Sequence, residues 1–293
     1  KKIFTDTDYK NLLDRNQFKL SSANSINWGR LVPQIVYYFS SYAELVKNNE
    51  IEIGDKINVV VPTGNFGNIL AAYYAKKMGL PIAKLICASN ANNVLTDFIN
   101  TGIYDKNRKF MTTISPSMDI LISSNLERLL YLLCGQDDNQ INTWFSELAK
   151  TGKYEVSDEV KTALKKDFCA GYCDDIQTEQ TIKSIFDKYS YTCDTHTAVA
   201  VKVYEDYKSK TGDKTKTIIA STASPYKFSS SVLEAIEDEK STLDEFDMVE
   251  KLYEISQYDI PNELLVLKNK EIRFKQSIEK SEMKKFVLKT LGL

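Results

Sequence analysis

The chain has 293 residues and a formal net charge of −2, from 38 Lys and Arg residues against 40 Asp and Glu residues. This balance argues against a nucleic-acid-binding protein, because such proteins usually carry a surplus of basic residues. No apolar run approaches the ~20 residues of a membrane-spanning helix, and no signal-peptide segment opens the chain, so we expect no membrane partner. The length suits one large domain or two smaller ones. Because the first residue is Lys rather than Met, we expect the gene to begin upstream.

Five cysteines are scattered along the chain. Cys169 and Cys173 have the spacing of one helix face, which is one way to hold a metal. The chain has a single histidine and no second close cysteine pair, so a zinc site is disfavoured and we expect no bound metal. An odd set of separate thiols is typical of a reducing compartment, and the sequence therefore predicts a cytoplasmic protein.

The first strong helix signal is an apolar stripe with helical spacing over residues 30–46. A buried strand follows at 57–61, and after a glycine-containing turn comes an apolar helix that Gly79 and Pro81 are expected to end. A second apolar strand occupies 84–89. Strand, helix and strand in close succession predict a βαβ unit and therefore a parallel sheet.

The middle of the chain changes character, because four successive apolar stripes there have helical spacing and carry no strong chemical motif. The sheet pattern then returns with a helix beginning at Asp194 or Thr195 and a buried strand at 217–221. We predict an α/β fold with a mostly parallel open sheet and flanking helices. Its predicted parts are a core of residues 1–103 and 191–240, a helical insertion at 104–190 and a helical C-terminal extension at 241–293.

The turn at residues 63–68 is the most informative segment. Gly64 and Gly67 let the backbone approach an anion closely. The first N–H groups of the following helix have no intrahelical acceptor, and the helix dipole adds partial positive charge there. The alternative is a tight turn in which Asn65 or Asn68 caps the helix. The turn matches neither the Walker A nor the dinucleotide-binding pattern.

Polar residues also follow the other predicted strands, at 89–93 and 221–224. Because ligands of open α/β sheets lie at the carboxyl ends of the strands, these segments and the glycine turn are expected to line one crevice. A hydroxyl of Ser221 or Thr222 could bond a heteroaromatic nitrogen; the alternative is that both cap the next helix. His196 follows a predicted N-cap, where a supporting role is favoured over that of a catalytic base.

Five ordered blocks make the chain resemble threonine synthase, a family of pyridoxal-phosphate (PLP) enzymes with the tryptophan-synthase-β-like fold, known as fold type II. Together they extend from about residue 20 to 230. The blocks are Ser21-Ser22-Ala23-Asn24-Ser25-Ile26-Asn27-Trp28-Gly29-Arg30, Pro62-Thr63-Gly64-Asn65-Phe66-Gly67-Asn68, Ser115-Pro116-Ser117-Met118-Asp119-Ile120, Asp194-Thr195-His196-Thr197-Ala198 and Thr222-Ala223-Ser224-Pro225-Tyr226-Lys227-Phe228.

The resemblance implies a cofactor, a reaction and site residues. The reaction is the conversion of O-phospho-L-homoserine and water to L-threonine and phosphate, the last step of threonine biosynthesis, by a lyase that works as a monomer or homodimer. Thr222 is expected to bond the pyridine nitrogen, and a neutral partner there weakens the electron sink. The PLP phosphate is expected to be held by Gly64, Asn65, Phe66, Gly67 and Asn68.

The family's Schiff-base lysine lies in an N-terminal Phe-Lys-Asp context that does not occur in this sequence. Lys227 belongs to the last block and is not its equivalent, and Ser224 stands where many relatives carry His. We therefore expect no catalytic residue in this chain, which would be inactive alone and would need an N-terminal segment of the same enzyme.

The substrate side is predicted from two further polar, charge-poor blocks, at residues 22–27 and 115–119. Arg30 and Arg128 are possible charged partners of the substrate. Two alternatives stay open: another fold-type-II enzyme, such as a serine or threonine dehydratase, and a non-catalytic module that binds a phosphorylated metabolite. The predicted substrate-side residues are Ser22, Asn24, Ser25, Asn27, Ser117 and Asp119.

Overall fold

A computed structural model describes residues 3–293 of the chain. It has two compact units, one formed by residues 25–260 and the other by the residues up to Asn24 together with Pro261–Leu293. The helices of the first unit are α2 (Trp28–Lys47), α3 (Gly67–Lys77), α4 (Val94–Thr101), α5 (Leu126–Leu133), α6 (Asp138–Thr151), α7 (Asp158–Asp167), α8 (Asp175–Tyr189), α9 (Thr195–Thr211), α10 (Ser229–Glu237) and α11 (Glu245–Ser256).

The second unit contains α1 (Thr7–Arg15), α12 (Asn262–Leu265) and α13 (Met283–Leu291). Asp6 caps α1 by accepting a hydrogen bond from the Tyr9 backbone N–H at 2.9 Å, which satisfies one of the N–H groups left free at a helix start. The Asp6 carboxylate also pairs with the Lys284 ammonium of α13.

A parallel sheet forms the centre of the larger unit. Its strands are β1 (Ile57–Pro62), β2 (Ile82–Ser89), β5 (Phe168–Tyr172) and β6 (Thr217–Ile219), in the order β5-β2-β1-β6. Every neighbouring pair runs parallel, as the predicted βαβ unit requires. Two short strands, β3 (Ile103–Asp105) and β4 (Lys153–Glu155), pair antiparallel outside this sheet.

Both faces of the sheet are covered, which explains why β1 is apolar at consecutive positions. Val59 and Val61 belong to the core cluster that contains the apolar residues of α3. Val60, on the opposite face, belongs to the cluster that contains Val199 and Val203 of α9. The predicted α/β architecture is confirmed, and it directs the carboxyl ends of β1, β2 and β6 to one edge.

The segment 104–190 differs from the predicted helical insertion, because it also contributes β5 to the main sheet. Val160, Leu164 and Phe168 are four residues apart, which is the spacing of one helix face, but the backbone of Phe168 is extended, with φ −116° and ψ 152°. Strand β5 is too short to show a recognisable alternation of apolar and polar residues. Its Gly171 lets α9 approach closely, since a Cβ there would lie 2.9 Å from Val203 Cγ1.

Across the part of the chain that the structure describes, no helix is long and apolar enough to cross a membrane. Among the same residues, no group of three or more His, Cys, Asp and Glu side chains is arranged to hold a metal ion. The expected shared helix face of Cys169 and Cys173 is wrong, because Cys169 lies within strand β5 and Cys173 directly after it.

The cysteines should differ strongly in reactivity. Burial raises the pKa of the Cys87 and Cys193 thiols to about 12 and that of Cys173 to about 11. Because the thiolate is the reactive form, iodoacetamide at neutral pH should modify the partly exposed Cys134 well before these three. Mass spectrometry of tryptic peptides over time measures the order, and early labelling of Cys87 would contradict the packing around β2.

The raised pKa values of the buried thiols predict a loss of stability at alkaline pH. The folded pKa of each buried thiol lies above its ordinary value of about 8.5. The stability that the protonated thiols contribute is therefore fully present below that value and is lost as the pH rises toward 12. Urea unfolding at several alkaline pH values measures this decline.

Candidate functional site

The glycine turn predicted at residues 63–68 joins β1 to α3. Phe66 is the residue that precedes the helix, and it has a left-handed backbone with φ 64° and ψ 8°. A non-glycine residue in this conformation costs about 1–2 kcal/mol. Burial of the aromatic side chain, which is 1% exposed and lies 6.0 Å from the Phe168 ring, offsets this cost. The alternative in which Asn65 or Asn68 caps the helix is wrong, because no side chain caps it.

The turn presents a run of free backbone donors. The Thr63 N–H donates to Ala88 O at 2.8 Å and the Leu70 N–H to Phe66 O at 3.2 Å. Between them, the N–H groups of residues 64–69 have no acceptor among residues 3–293. Consecutive free N–H groups at a helix N-terminus are typical of a phosphate or carboxylate site.

The carbonyl groups of the turn are held on their other side. Ser123 Oγ donates to Gly64 O at 2.9 Å. The Asn65 carbonyl accepts from the Asn125 backbone N–H at 3.1 Å and from Asn125 Nδ2 at 2.9 Å. Residues 123–125 carry no recognisable motif, and their one signal in the sequence is a short polar run before α5. Anchored carbonyls fix the direction in which the N–H groups point.

Both glycines of the turn are required by close packing rather than by a positive φ. A Cβ on Gly64 would lie 2.6 Å from the Ser117 carbonyl oxygen. A Cβ on Gly67 would lie 2.5 Å from Ser25 Oγ and 2.6 Å from Ser25 Cβ. The structure therefore brings two of the predicted substrate-side residues, Ser25 and Ser117, against the turn.

Asn68 adds a side-chain donor beside the free N–H groups. The Tyr38 hydroxyl donates to Asn68 Oδ1. Burial raises the pKa of Tyr38, so the phenol keeps the proton that it donates. With its oxygen occupied, Asn68 presents its NH₂ group, which has no hydrogen-bond partner among the described residues.

The end of β6 lies on the same edge as the turn. Val60 pairs with Ile219, and the Ala220 N–H donates to Val60 O at 2.9 Å. Continuing this register places Ser221 and Thr222 beside the end of β1. Thr222 is exposed, as a residue that meets a ligand must be.

The third strand end, after β2, is a closed polar network. Asp119 Oδ1 accepts from Asn90 Nδ2 at 2.8 Å, from Asn92 Nδ2 at 2.9 Å and from the Thr113 hydroxyl at 2.7 Å. Its Oδ2 accepts from the Thr113 N–H at 3.0 Å. Asp119, predicted on the substrate side, thus ties residues 113–119 to the end of β2.

The chain is similar to known proteins over most of its length. A family model described as "Threonine synthase, C-terminal" matches residues 197–287. "Threonine synthase-like 1" of Homo sapiens is 46% identical over 238 residues, which are 80% of this chain and 32% of that protein. The threonine synthase of Saccharomyces cerevisiae is 40% identical over 250 residues, covering 80% of this chain and 47% of that protein.

Solved structures give the same result. The crystal structure of yeast threonine synthase superimposes with a TM-score of 0.80 and 35% identity over 98% of this chain and 55% of that one. The PLP-bound threonine synthase of Brucella melitensis gives a TM-score of 0.72 and 34% identity, and the match covers 92% of this chain and 55% of that one. This chain belongs to the threonine synthase family. It spans about a third of the length of the first of these curated relatives and about half of the length of the second.

The family's cofactor can be tested against the residues present. A phosphate needs several donors and room for its oxygens. The turn of this chain offers the free N–H groups of residues 64–69, the NH₂ group of Asn68 and two positions without a Cβ. These residues fit a phosphate, and the exposed Thr222 hydroxyl is a suitable partner for a pyridine nitrogen.

The remaining predicted substrate-side residues are placed as follows. Asn27 caps α2 by accepting from the Gly29 N–H at 3.0 Å. Ser22 and Asn24 lie in the smaller unit, where the Asn24 N–H is 3.4 Å from Ser22 Oγ. The assignment of all six residues to the substrate stays a prediction.

Arg128, predicted as a possible partner of substrate charge, has a structural task in this chain. Its guanidinium donates to Ser25 O at 3.1 Å and to Ile26 O at 2.6 Å. It also donates to Asn125 Oδ1 at 2.6 Å. Arg128 therefore fixes the segment that lies against Gly67, whereas Arg30 is exposed on α2.

Replacing Asn125 with alanine should destabilise the site and the fold. The side chain is fully buried, donates to Asn65 O and Ser25 Oγ, both at 2.9 Å, and accepts from Arg128. Losing these bonds should lower the free energy of unfolding by about 2–4 kcal/mol. Urea unfolding measures the loss, and Asn142→Ala on the exposed side of α6 is the matched control. Equal stability of the two variants would contradict the anchoring.

Proposed function

We propose that this chain forms the PLP-phosphate-binding part of a threonine synthase. The whole enzyme would convert O-phospho-L-homoserine and water to L-threonine and phosphate. The observation that carries the proposal is the run of unpaired N–H groups at residues 64–69, held outward by the left-handed Phe66 and by Asn125. The similarity to threonine synthases over most of the chain supports it.

In this proposal the residues of the site have defined tasks. The N–H groups of the turn and the Asn68 NH₂ hold the cofactor phosphate without a cationic side chain, because the α3 dipole supplies the positive potential. Thr222 bonds the pyridine nitrogen through a neutral hydroxyl, which does not enforce a proton on that nitrogen. When bound, PLP supplies an electron sink for carbanion chemistry at the substrate. The lysine that binds the cofactor covalently is supplied by residues outside this sequence.

Binding of cofactor analogues tests the proposal. Pyridoxine 5′-phosphate carries the ring and the phosphate but no aldehyde, so it cannot react with surface lysines. Isothermal titration should show specific binding of this analogue, competed by inorganic phosphate. No binding would overturn the proposal. With PLP itself, borohydride reduction should not yield a covalent adduct that is specific to a single lysine of this chain. Such an adduct would contradict the proposal that the reactive lysine lies outside this sequence.

The reaction is tested on the whole protein that contains these residues. We expect release of inorganic phosphate from O-phospho-L-homoserine together with formation of threonine. A phosphate assay and amino-acid analysis measure the two products. Turnover of serine in place of phosphohomoserine would instead support a dehydratase. Binding of pyridoxine 5′-phosphate without any turnover by the whole protein would support a non-catalytic binding module.

A further inference from the structure

We propose that the first turn of α9, Asp194–Thr197, is a positioning unit that sets the spacing between the phosphate-binding turn and the Ser221–Thr222 segment. This inference rests on the proposed function, because it concerns the two ends of the same cofactor site. None of its side chains has to touch the cofactor. The unit acts through Ser117 on one side and through Ser221 on the other.

Asp194 organises the unit. Its carboxylate is 1% exposed and accepts from the His196 N–H at 2.9 Å and the Thr197 N–H at 3.4 Å. It also accepts from the Thr197 hydroxyl and faces His196 Nδ1 at 3.1 Å. One buried acceptor thus fixes the rotamers of the His196 and Thr197 side chains.

His196 connects the unit to the phosphate side. Its Nε2 accepts the Ser117 backbone N–H at 3.2 Å, so Nε2 carries no proton and the ring proton is on Nδ1, where Asp194 accepts it. The carbonyl of Ser117 is the group against which Gly64 packs. The histidine ring, 3% exposed, therefore sets how closely residues 115–118 press on the phosphate-binding turn.

Thr197 connects the same unit to the other end of the site. Its hydroxyl lies 3.3 Å from the Ser221 hydroxyl, one residue before Thr222. The His196 ring also lies 4.7 Å from the ring of Phe228, which closes the short 3-10 turn Pro225–Phe228 after Thr222. Adjacent residues of one helical turn thus hold both segments, and a shift of that turn changes the distance between them.

A ligand that spans the site should sense this distance, whereas a ligand that fills one end should not. Pyridoxine 5′-phosphate needs the glycine turn and Thr222 together, while inorganic phosphate needs only the glycine turn. For His196→Leu, of similar volume but without an acceptor for Ser117, we expect the affinity for pyridoxine 5′-phosphate to fall by at least ~10-fold. The affinity for inorganic phosphate should change by less than ~2-fold.

The matched control is His196→Gln, whose amide oxygen can accept the Ser117 N–H and should recover most of the lost affinity. Thr197→Val is isosteric and lacks the hydroxyl that meets both Ser221 and Asp194. It should weaken binding of pyridoxine 5′-phosphate in the same selective way, and it keeps the test usable where His196→Leu does not fold. Urea unfolding of each variant checks its fold before titration.

Unchanged binding of pyridoxine 5′-phosphate by both His196→Leu and Thr197→Val would overturn the positioning unit while leaving the proposed function intact. So would an equal loss for both ligands, because that pattern indicates general disruption rather than altered spacing. If the wild-type chain binds neither ligand, the proposed function fails, and this inference fails with it.

Discussion

Replacing Gly67 with valine is expected to abolish binding of pyridoxine 5′-phosphate and inorganic phosphate, with a loss of more than ~100-fold, or about 3 kcal/mol. A Cβ at this position would lie 2.5–2.6 Å from the side-chain atoms of Ser25. A β-branched side chain must therefore displace Ser25 or shift the first turn of α3, and either change moves the N–H groups that we propose to bind the anion. Isothermal titration with each ligand measures the loss.

Two further variants make this result specific. Gly29→Ala adds a Cβ at ordinary contact distance, 3.4 Å from Asn27 Oδ1, in the first turn of α2, and should bind both ligands as the wild type does. The double variant Ser25→Gly, Gly67→Ala removes the atoms that a new Cβ would meet, and it should bind more tightly than Gly67→Ala alone. Unchanged affinity in Gly67→Val would remove the phosphate assignment of the turn.

Replacing Asp119 with alanine should lower the free energy of unfolding by about 3–5 kcal/mol. The variant leaves the side-chain NH₂ groups of Asn90 and Asn92 and the N–H and hydroxyl of Thr113 without their shared acceptor. Asn90 and Asn92 are 1% and 3% exposed, so water does not readily replace the lost carboxylate. Denaturant unfolding monitored by circular dichroism measures the change.

The control is Asp158→Ala, because Asp158 has a 90% exposed side chain and its ion pair with Lys161 is a surface contact of 2.9 Å. This variant should change the unfolding free energy by less than about 1 kcal/mol. If Asp119→Ala keeps full stability but loses affinity for phosphohomoserine in the whole protein, the carboxylate serves the substrate instead of the network.

The parts of the fold that carry a local signal were predictable. The apolar run of β1, the glycine turn and the stop at Gly79 and Pro81 specify a βαβ unit within some thirty residues, and the structure has it at Ile57–Ser89. Strand β5 has no such signal, because Phe168 continues the helical spacing of α7 and the next three residues are small. Its place in the sheet depends on pairing with β2, a contact some eighty residues distant.

The residues of the candidate site also differ in how far the sequence could predict them. Gly64 and Gly67 indicate an anion site because their chemistry is local to the turn. The groups that orient the turn, Ser123 and Asn125, lie about sixty residues further along the chain, and a short polar run does not say what it contacts. Phe66 could not be predicted as the residue before the helix, since aromatic residues rarely adopt a left-handed backbone. The resemblance to the threonine synthase family rests on the five sequence blocks and not on the periodicity of the apolar residues.

The left-handed Phe66 has a kinetic consequence. The position of its backbone is determined by a side chain in the hydrophobic core and by carbonyl contacts to residues 123–125, not by the anion. Capture of a phosphate therefore requires no reordering of the turn. The observed association rate should rise linearly with ligand concentration, without the plateau that marks a slow conformational step before binding.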